Sequence, residues 1–398
     1  MHAPPTIPAP GRPAASIDTP ALVIDLDAME RNIARMAAFA SAHGVAWRPH
    51  AKLHKCAQLA QRLVAAGAVG CCVQKTGEAE ALAAAGMRDI YLSNQLVAPA
   101  KLARLVALAV RLQAEGGRLA LAADSAHGIE QLAAAIAALP PARRPREALP
   151  VFVEINIGQD RCGAAPGAEA LALAQQIGRH PALSFAGLHA YHGGAQHIRA
   201  YTERAQAMQE AYQQVVLTRT LLQAAGIAVP CITGAGTGTL VSEAASGLYT
   251  ELQPGSFLFM DADYARNEWP VGAPAFEHAL FVHTQVISRH AERAVCDAGH
   301  KSHAIDSGLP TVWNFGAPPA LAFGNGGDEH GILTLAAGAS AHPGTGGGLP
   351  ALGETLWLVP GHCDPTVNLH DVMIGVRGGL REGVVEEVLR VDARGALG

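Results

Sequence analysis

Lys52, in the run Arg48-Pro-His50-Ala-Lys52, is placed for imine chemistry. It follows a short apolar stretch, where a strand would end. A lysine partly removed from water has its pKa lowered and can attack a carbonyl. The alternative is a lysine whose stem lies on apolar surface while its head stays in water, and Lys55 could equally be the reactive one. Gly234-Ala-Gly-Thr-Gly238 also follows a strand-like run. Glycines let backbone N–H groups converge on a phosphate, and Thr237 adds a hydroxyl; a tight loop without a ligand uses the same residues. His189-Ala-Tyr-His-Gly-Gly-Ala-Gln-His197 brings three histidines to one strand exit. They could supply a general base near neutral pH or be hydrogen-bonded core groups, the expected state of His189. His362-Cys-Asp364 follows another strand-like run. On an extended segment, residues two apart share a face. His362 and Asp364 could then bind one divalent cation and leave positions open for water or substrate, as a Lewis acid needs. A surface loop closed by Pro365 is the competing reading.

Elements of the right kind exist to hold these groups. Strand-like runs are predicted at Ala46–His50, Val69–Lys75, Ile90–Asn94, Leu119–Asp124, Val151–Asn156, Phe185–Tyr191, Pro230–Gly234 and Tyr249–Gln253. Segments rich in Ala and Leu, such as Ala100–Gln113 and Thr202–Ala225, separate them with helical spacing. Ahead of them, Ala21–Leu26 is an apolar run. Asp27 and Glu30 then read as a helix cap and its capping-box partner, and Gly44 closes the helix. Strands alternating with helices imply a parallel sheet. Eight such units predict an α/β fold of the (β/α)8 TIM-type barrel class, with a doubly wound sheet as the alternative. Barrel chemistry sits at the C-terminal ends of strands. Those ends hold Lys52, Gln74-Lys75, Asn94-Gln95, Asp160-Arg161, the His189–His197 segment, Gly234–Gly238 and Gly255-Ser256. Phosphate sites favour the loops after the last two strands, which adds weight to Gly236-Thr-Gly238.

After about Met260 the helical rhythm stops. Ala279–Arg289, Arg293–Ala298, Thr355–Val359 and Val384–Val391 read as strands, and Gly338–Gly353 as a Gly-rich surface loop. The expected organisation is a flexible arm over 1–18, a barrel over 19–268, and a mainly β domain over 269–398 carrying His362 and Asp364.

Composition narrows the class. The 398 residues are 49% hydrophobic and 16% charged, enough for a large interior. A net charge of −5 argues against a nucleic-acid partner. No apolar run is long enough to span a membrane, and five prolines within Met1–Pro13 do not read as a signal peptide. Seven scattered cysteines are not a disulfide framework, so a reducing cytoplasm is expected.

Seven segments, in order, resemble the D-threonine aldolases. They are Arg48–Lys52, Tyr191-His-Gly193, Gly234–Gly238, Tyr249-Thr-Glu-Leu-Gln-Pro-Gly-Ser256, Met260-Asp-Ala-Asp-Tyr264, Asp328-Glu-His-Gly331 and Pro360-Gly-His-Cys-Asp-Pro-Thr366. The resemblance runs from about residue 17 to the C-terminus. It implies an alanine-racemase-like fold: a pyridoxal-phosphate barrel plus a β domain. It implies that Lys52 carries the cofactor and Lys55 does not, and Gln74 is expected to bind the cofactor as well. Arg161 would approach the cofactor ring. Tyr191, Gly236, Thr237, Gly238, Gly255 and Ser256 would hold the cofactor and its phosphate. His197, rather than His192, would be the base. His362 and Asp364 would hold a divalent metal, Mn2+ first, with Mg2+, Co2+ or Zn2+ as alternatives. The implied reaction cleaves a D-3-hydroxy amino acid to glycine and an aldehyde. The 3-hydroxy-D-aspartate aldolases share nearly every segment, including one like Asp306-Ser-Gly-Leu-Pro310. D-Serine and 3-hydroxyaspartate dehydratases share the lysine, but their metal pair tends to be His-x-Cys. A non-catalytic cofactor carrier is the remaining class, and it needs neither the β domain nor the metal pair. The resemblance also implies a homodimer.

Overall fold

The computed structural model describes residues 8–318, 320–337 and 348–398. These form two compact units. One comprises 36–255, 267–274 and 395–398; the other comprises the described residues up to 35, with 256–266 and 275–394.

The chain enters through β1 (Ala21–Asp25) and α1 (Leu26–His43). Asp25 caps the helix by accepting the Ala28 N–H at 3.0 Å. The expected cap is therefore displaced by two residues. Asp25 is the last strand residue, so its backbone already has the extended shape that an N-cap needs. Asp27 and Glu30 instead bind Arg377.

Eight parallel strands make the barrel unit: β2 (Ala46–Trp47), β3 (Cys71–Val73), β4 (Asp89–Leu92), β5 (Arg118–Ala123), β6 (Leu149–Glu154), β7 (Leu183–Ala190), β8 (Ile232–Gly234) and β9 (Glu251–Leu252). They pair in chain order from β3 to β9, and β9 pairs with β2. The ring closes beyond β2, where Ala51 N–H donates to Cys72 O at 2.8 Å and Cys72 N–H to Pro49 O at 2.9 Å. This is the expected barrel, and a doubly wound sheet is excluded. Helices α2 (Ala57–Ala65), α3 (Thr76–Ala84), α4 (Pro99–Ala114), α5 (Ala126–Ala137), α6 (Ala168–Gly178), α7 (Tyr201–Ala224) and α8 (Leu240–Ala245) follow the strands in turn.

Local chemistry explains the elements. All three residues of β3 are buried, as a parallel strand covered on both faces requires. Pro99 opens α4, where a missing N–H costs nothing. The Ser125 hydroxyl caps α5 by accepting the Gly128 N–H at 3.2 Å. At Gly187, φ is +132° and a Cβ would lie 1.9 Å from the Cys231 carbonyl oxygen, so only glycine lets β7 pass β8.

The other unit is mainly β. Its long strand β10 (Leu280–Arg289) pairs with β1, with β11 (Ala294–Cys296) and with β15 (Thr355–Val359). β12 (Thr311–Val312) adds to β15. β13 (Leu321–Asn325) and β14 (Gly331–Leu335) form a pair joined to β11. β16 (Val372–Arg377) lies parallel to β1 and antiparallel to β17 (Val384–Arg390). The division thus differs from the expected 19–268 and 269–398. β1 reads as an apolar run in either setting, and only its pairing partners place it in this sheet. The described part of the expected flexible arm is also tied down: Gly11 N–H donates to Val385 O at 2.7 Å, Val385 N–H donates to Arg12 O at 2.8 Å, and Ala14 and Ile17 are buried. Of the expected loop Gly338–Gly353, residues 338–347 lie outside the described residues.

Among the described residues, no helix is long and apolar enough to cross a membrane. None of the seven cysteines is in a disulfide.

Candidate active site

Lys52 lies in the turn after β2, half-buried, with its N–H 3.4 Å from His50 Nδ1. The other ring nitrogen of His50 is 3.0 Å from Gln74 Nε2, which also donates to Ser93 Oγ at 3.1 Å. Gln74 therefore fixes the turn that carries Lys52. Lys55 is buried, with Nζ 3.3 Å from Glu78 Oε1. Glu78 Oε2 accepts the N–H groups of Gln74 and Lys75 at 2.8 and 3.2 Å. Lys55 thus serves as the counter-ion of a carboxylate that caps α3, a structural task.

The remaining cofactor candidates lie on neighbouring strand ends. Arg161 is exposed, with its guanidinium 5.6 Å over the half-buried Tyr191 ring. Thr237 is buried in the turn after β8. Gly255 follows β9, where a Cβ would meet His50 at 3.3 Å. Ser256, also buried, starts a 3-10 turn. The glycines of Gly236-Thr-Gly238 pack against Gln196. A Cβ on Gly236 would lie 2.3 Å from Gln196 Oε1, and one on Gly238 would lie 2.6 Å from the Gln196 carbonyl oxygen. The Gly238 N–H donates to Gln196 Oε1 at 3.0 Å, and the Gly236 N–H points to Thr239 Oγ1 at 3.4 Å. These two N–H groups have partners within the protein.

The three histidines of the next segment differ. His189, inside β7, is buried and 2.9 Å from the Tyr91 hydroxyl; burial pulls its imidazole below the ordinary value. His192 is half-buried, and burial lowers it too. His197 ends the 3-10 turn Gly194–His197 and is exposed. It is open to solvent, which His189 is not.

In the β unit, His362 and Asp364 open α9 (Cys363–Val367). The alternation of an extended strand is not what joins them. His362 is extended (φ −148°, ψ 120°) and precedes the helix, while Asp364 sits in its first turn. Their donors still face each other, His362 Nε2 to Asp364 Oδ1 at 4.0 Å. Two ligands about 2.1 Å from one cation stand roughly 3 Å apart at a right angle, so the pair needs to close by about 1 Å. His362 Nδ1 lies 2.7 Å from Asp306 Oδ2. A carboxylate on one ring nitrogen orients the other toward a metal. Burial raises the Asp306 carboxyl, but the hydrogen bond and charge of His362 outweigh it and hold it below the usual range. Asp261, buried beside them, accepts the N–H groups of Tyr264 and Cys363 at 2.9 and 3.3 Å; burial pushes its carboxyl up to about 6. Cys363 is buried, which holds its thiol well above the ordinary value. Among the described residues, no three His, Cys, Asp or Glu converge on one metal position. The donor set is an open pair.

A family model described as alanine racemase, N-terminal domain, matches residues 24–263, and one described as putative serine dehydratase domain matches 279–376. The chain is 44% identical to a D-threonine aldolase of Arthrobacter sp, over 97% of this chain and 95% of that one. The chain belongs to the family of D-threonine and 3-hydroxy-D-aspartate aldolases. A 3-hydroxy-D-aspartate aldolase of Paracoccus denitrificans (strain Pd 1222) is 39% identical over 98% of this chain and 95% of its own length. The crystal structure of a D-threonine aldolase from Filomicrobium marinum matches with a TM-score of 0.89 at 43% identity, covering 100% of both chains. These aldolases are carbon–carbon lyases, and the fold is that of the pyridoxal-phosphate barrels.

Two residues that sequence reasoning did not single out belong to the picture. Asp306 orients His362, and Gln196 fills the glycine loop. The motif Asp306–Pro310 contained the first without showing its target. Gln196 precedes His197 with no signal of its own.

Proposed function

We propose that this chain is a pyridoxal-phosphate- and divalent-metal-dependent aldolase that cleaves D-3-hydroxy amino acids of the D-threonine type to glycine and an aldehyde. The observation that carries the reading is His362, aimed by Asp306 with its other nitrogen toward Asp364. A lysine at a barrel mouth serves racemases and dehydratases as well. An oriented imidazole facing a carboxylate suits a cation, and a cation is what lowers the pKa of a 3-hydroxyl.

Lys52 would hold pyridoxal phosphate through its amine, since Lys55 is engaged with Glu78. Arg161 and Tyr191 would flank the ring. Thr237, Gly255 and Ser256 would face the phosphate, and Gly236 and Gly238 would shape their loop. When bound, the cofactor supplies an electron sink for the carbanion left by Cα–Cβ cleavage. His197 takes the proton of the 3-hydroxyl. His362 and Asp364 would hold the cation, Mn2+ first; nitrogen plus carboxylate oxygen also suits Mg2+, Co2+ or Zn2+. The working unit would be a homodimer in a reducing cytoplasm.

Product analysis with D-threonine and with 3-hydroxy-D-aspartate tests the reading. Glycine plus an aldehyde is expected, and the faster substrate names the aldolase. Ammonia plus a 2-oxo acid would make the chain a dehydratase. Cofactor binding without turnover would make it a carrier.

A further inference from the structure

Gln196 is fully buried between the two loops on which the proposed chemistry depends. Its Oε1 accepts the Gly238 N–H at 3.0 Å. Its Nε2 donates to Thr239 Oγ1 at 2.8 Å and to the His192 carbonyl oxygen at 3.2 Å. The amide can point only one way, because a backbone N–H only donates and a carbonyl oxygen only accepts. Thr239 in turn donates to Glu243 Oε2 at 2.6 Å, which anchors the loop to α8. The main chain of Gln196 is held as well: its N–H donates to Gly193 O at 3.2 Å, and its carbonyl accepts Asn267 Nδ2 at 2.9 Å. Asn267 Oδ1 takes Arg199 at 2.7 Å, on the far side of His197. The side chain of Gln196 therefore belongs to the loop 234–239, and its backbone to the turn ending at His197.

We propose that Gln196 is a positioning residue that couples occupancy of the loop 234–239 by the cofactor phosphate to the placement of His197. This rests on the cofactor and base assignments proposed above. The two glycines fit the idea. Their missing side chains leave room for Gln196, so the loop conformation and the amide are mutually dependent. A shift of the loop moves Thr239 and the Gly238 N–H, and both pull on one side chain. That side chain is one residue from the base. A displacement of about 1 Å at a reacting group can cost about 10²-fold in rate.

Hydrogen–deuterium exchange of the whole protein, with and without pyridoxal phosphate, reads the coupling directly. In the wild type, the cofactor should slow exchange in both 234–240 and 192–199. Gln196→Met keeps the side-chain length and loses every polar contact. At saturating cofactor it should keep the slowing at 234–240 and lose most of it at 192–199. Its kcat should fall by about 10- to 100-fold with KM changed less than about 3-fold. Thr239→Val breaks the same link from the loop side and should act alike, while Thr239→Ser should restore both readouts. If Gln196→Met keeps wild-type slowing at 192–199, the coupling is refuted. If both variants merely loosen the two segments alike, Gln196 is scaffold and the proposal falls. If the wild type gains no visible absorption with pyridoxal phosphate, the cofactor reading itself has failed, an outcome distinct from either.

Discussion

Asp306→Ala should weaken metal binding without touching the cofactor. The structure sets the size of the effect. Asp306 holds His362 Nδ1 at 2.7 Å, and among the described residues no other acidic oxygen lies as near that nitrogen; Ser307 Oγ stands at 3.3 Å. Removing the carboxylate behind a ligating histidine typically costs about 10- to 100-fold in metal affinity, about 1.4–2.7 kcal/mol. Here the side chains are 27% and 53% exposed, so water screens the pair and the lower end applies. The expected loss is about 10-fold for Asp306→Ala and less for Asp306→Asn, which keeps an acceptor oxygen. Asp364→Ala removes a proposed ligand outright and should cost more. Titrating Mn2+ into metal-stripped protein, with free Mn2+ followed by electron paramagnetic resonance, measures all three. Chelation should abolish turnover while the visible absorption of the bound cofactor persists. If Asp306→Ala binds Mn2+ within two-fold of the wild type, His362 is not oriented for a metal by Asp306. The loop would then be structural.

Lys52→Ala should remove the visible absorption of the lysine-bound cofactor. Lys55→Ala should keep it but lower stability by about 3 kcal/mol, because Glu78 is left buried without its cation; borohydride reduction and peptide mapping to Lys55 would reverse the assignment. His197→Asn should lower kcat by about 10²–10⁴-fold with the absorption intact, and a comparable loss confined to His192→Asn would move the role there. Stability should fall as pH drops from about 6.5 toward 4. Burial pulls His283 down to about 4, so below 6.5 the unfolded chain takes up the proton first. The window from 6.5 to 4 corresponds to about 3 kcal/mol at 1.36 kcal/mol per pH unit, and His283→Gln should flatten that limb of a urea-denaturation pH series. An unchanged limb would mean that His283 takes up its proton as readily in the fold as in the unfolded chain.

The barrel was legible because parallel strands buried on both faces must be apolar runs, and Ala-Leu helices must separate them. Val69–Lys75 brackets an observed strand and Ile90–Asn94 overlaps one for that reason. β1 was legible as an element and not as a neighbour: Ala21–Asp25 has the same apolar character whichever sheet it joins. β13 and β14 escaped because their exposed faces dilute the apolar signal. At the candidate site, the sequence pointed to the residue types that chemistry demands, and the structure places them on strand ends and at a helix start. It could not show who holds whom. Asp306 and His362 are 56 residues apart, and no local pattern spans such a gap.

The glycine loop makes the same point from the other side. Gly236 and Gly238 were read as room for a phosphate, because a glycine says only that something lies close to the backbone. The something at both positions is Gln196, a neutral amide with two partners in the loop and a third in the histidine segment. A motif of small residues is therefore ambiguous between a ligand and a side chain of the same protein. The distinction matters for mechanism. Had the glycines faced only a phosphate, the loop would be a passive cradle, and the proposed base His197, far off in sequence, would not sense its occupancy. Because an amide fills them, the loop and the turn bearing His197 share one set of hydrogen bonds, the basis of the coupling proposed above.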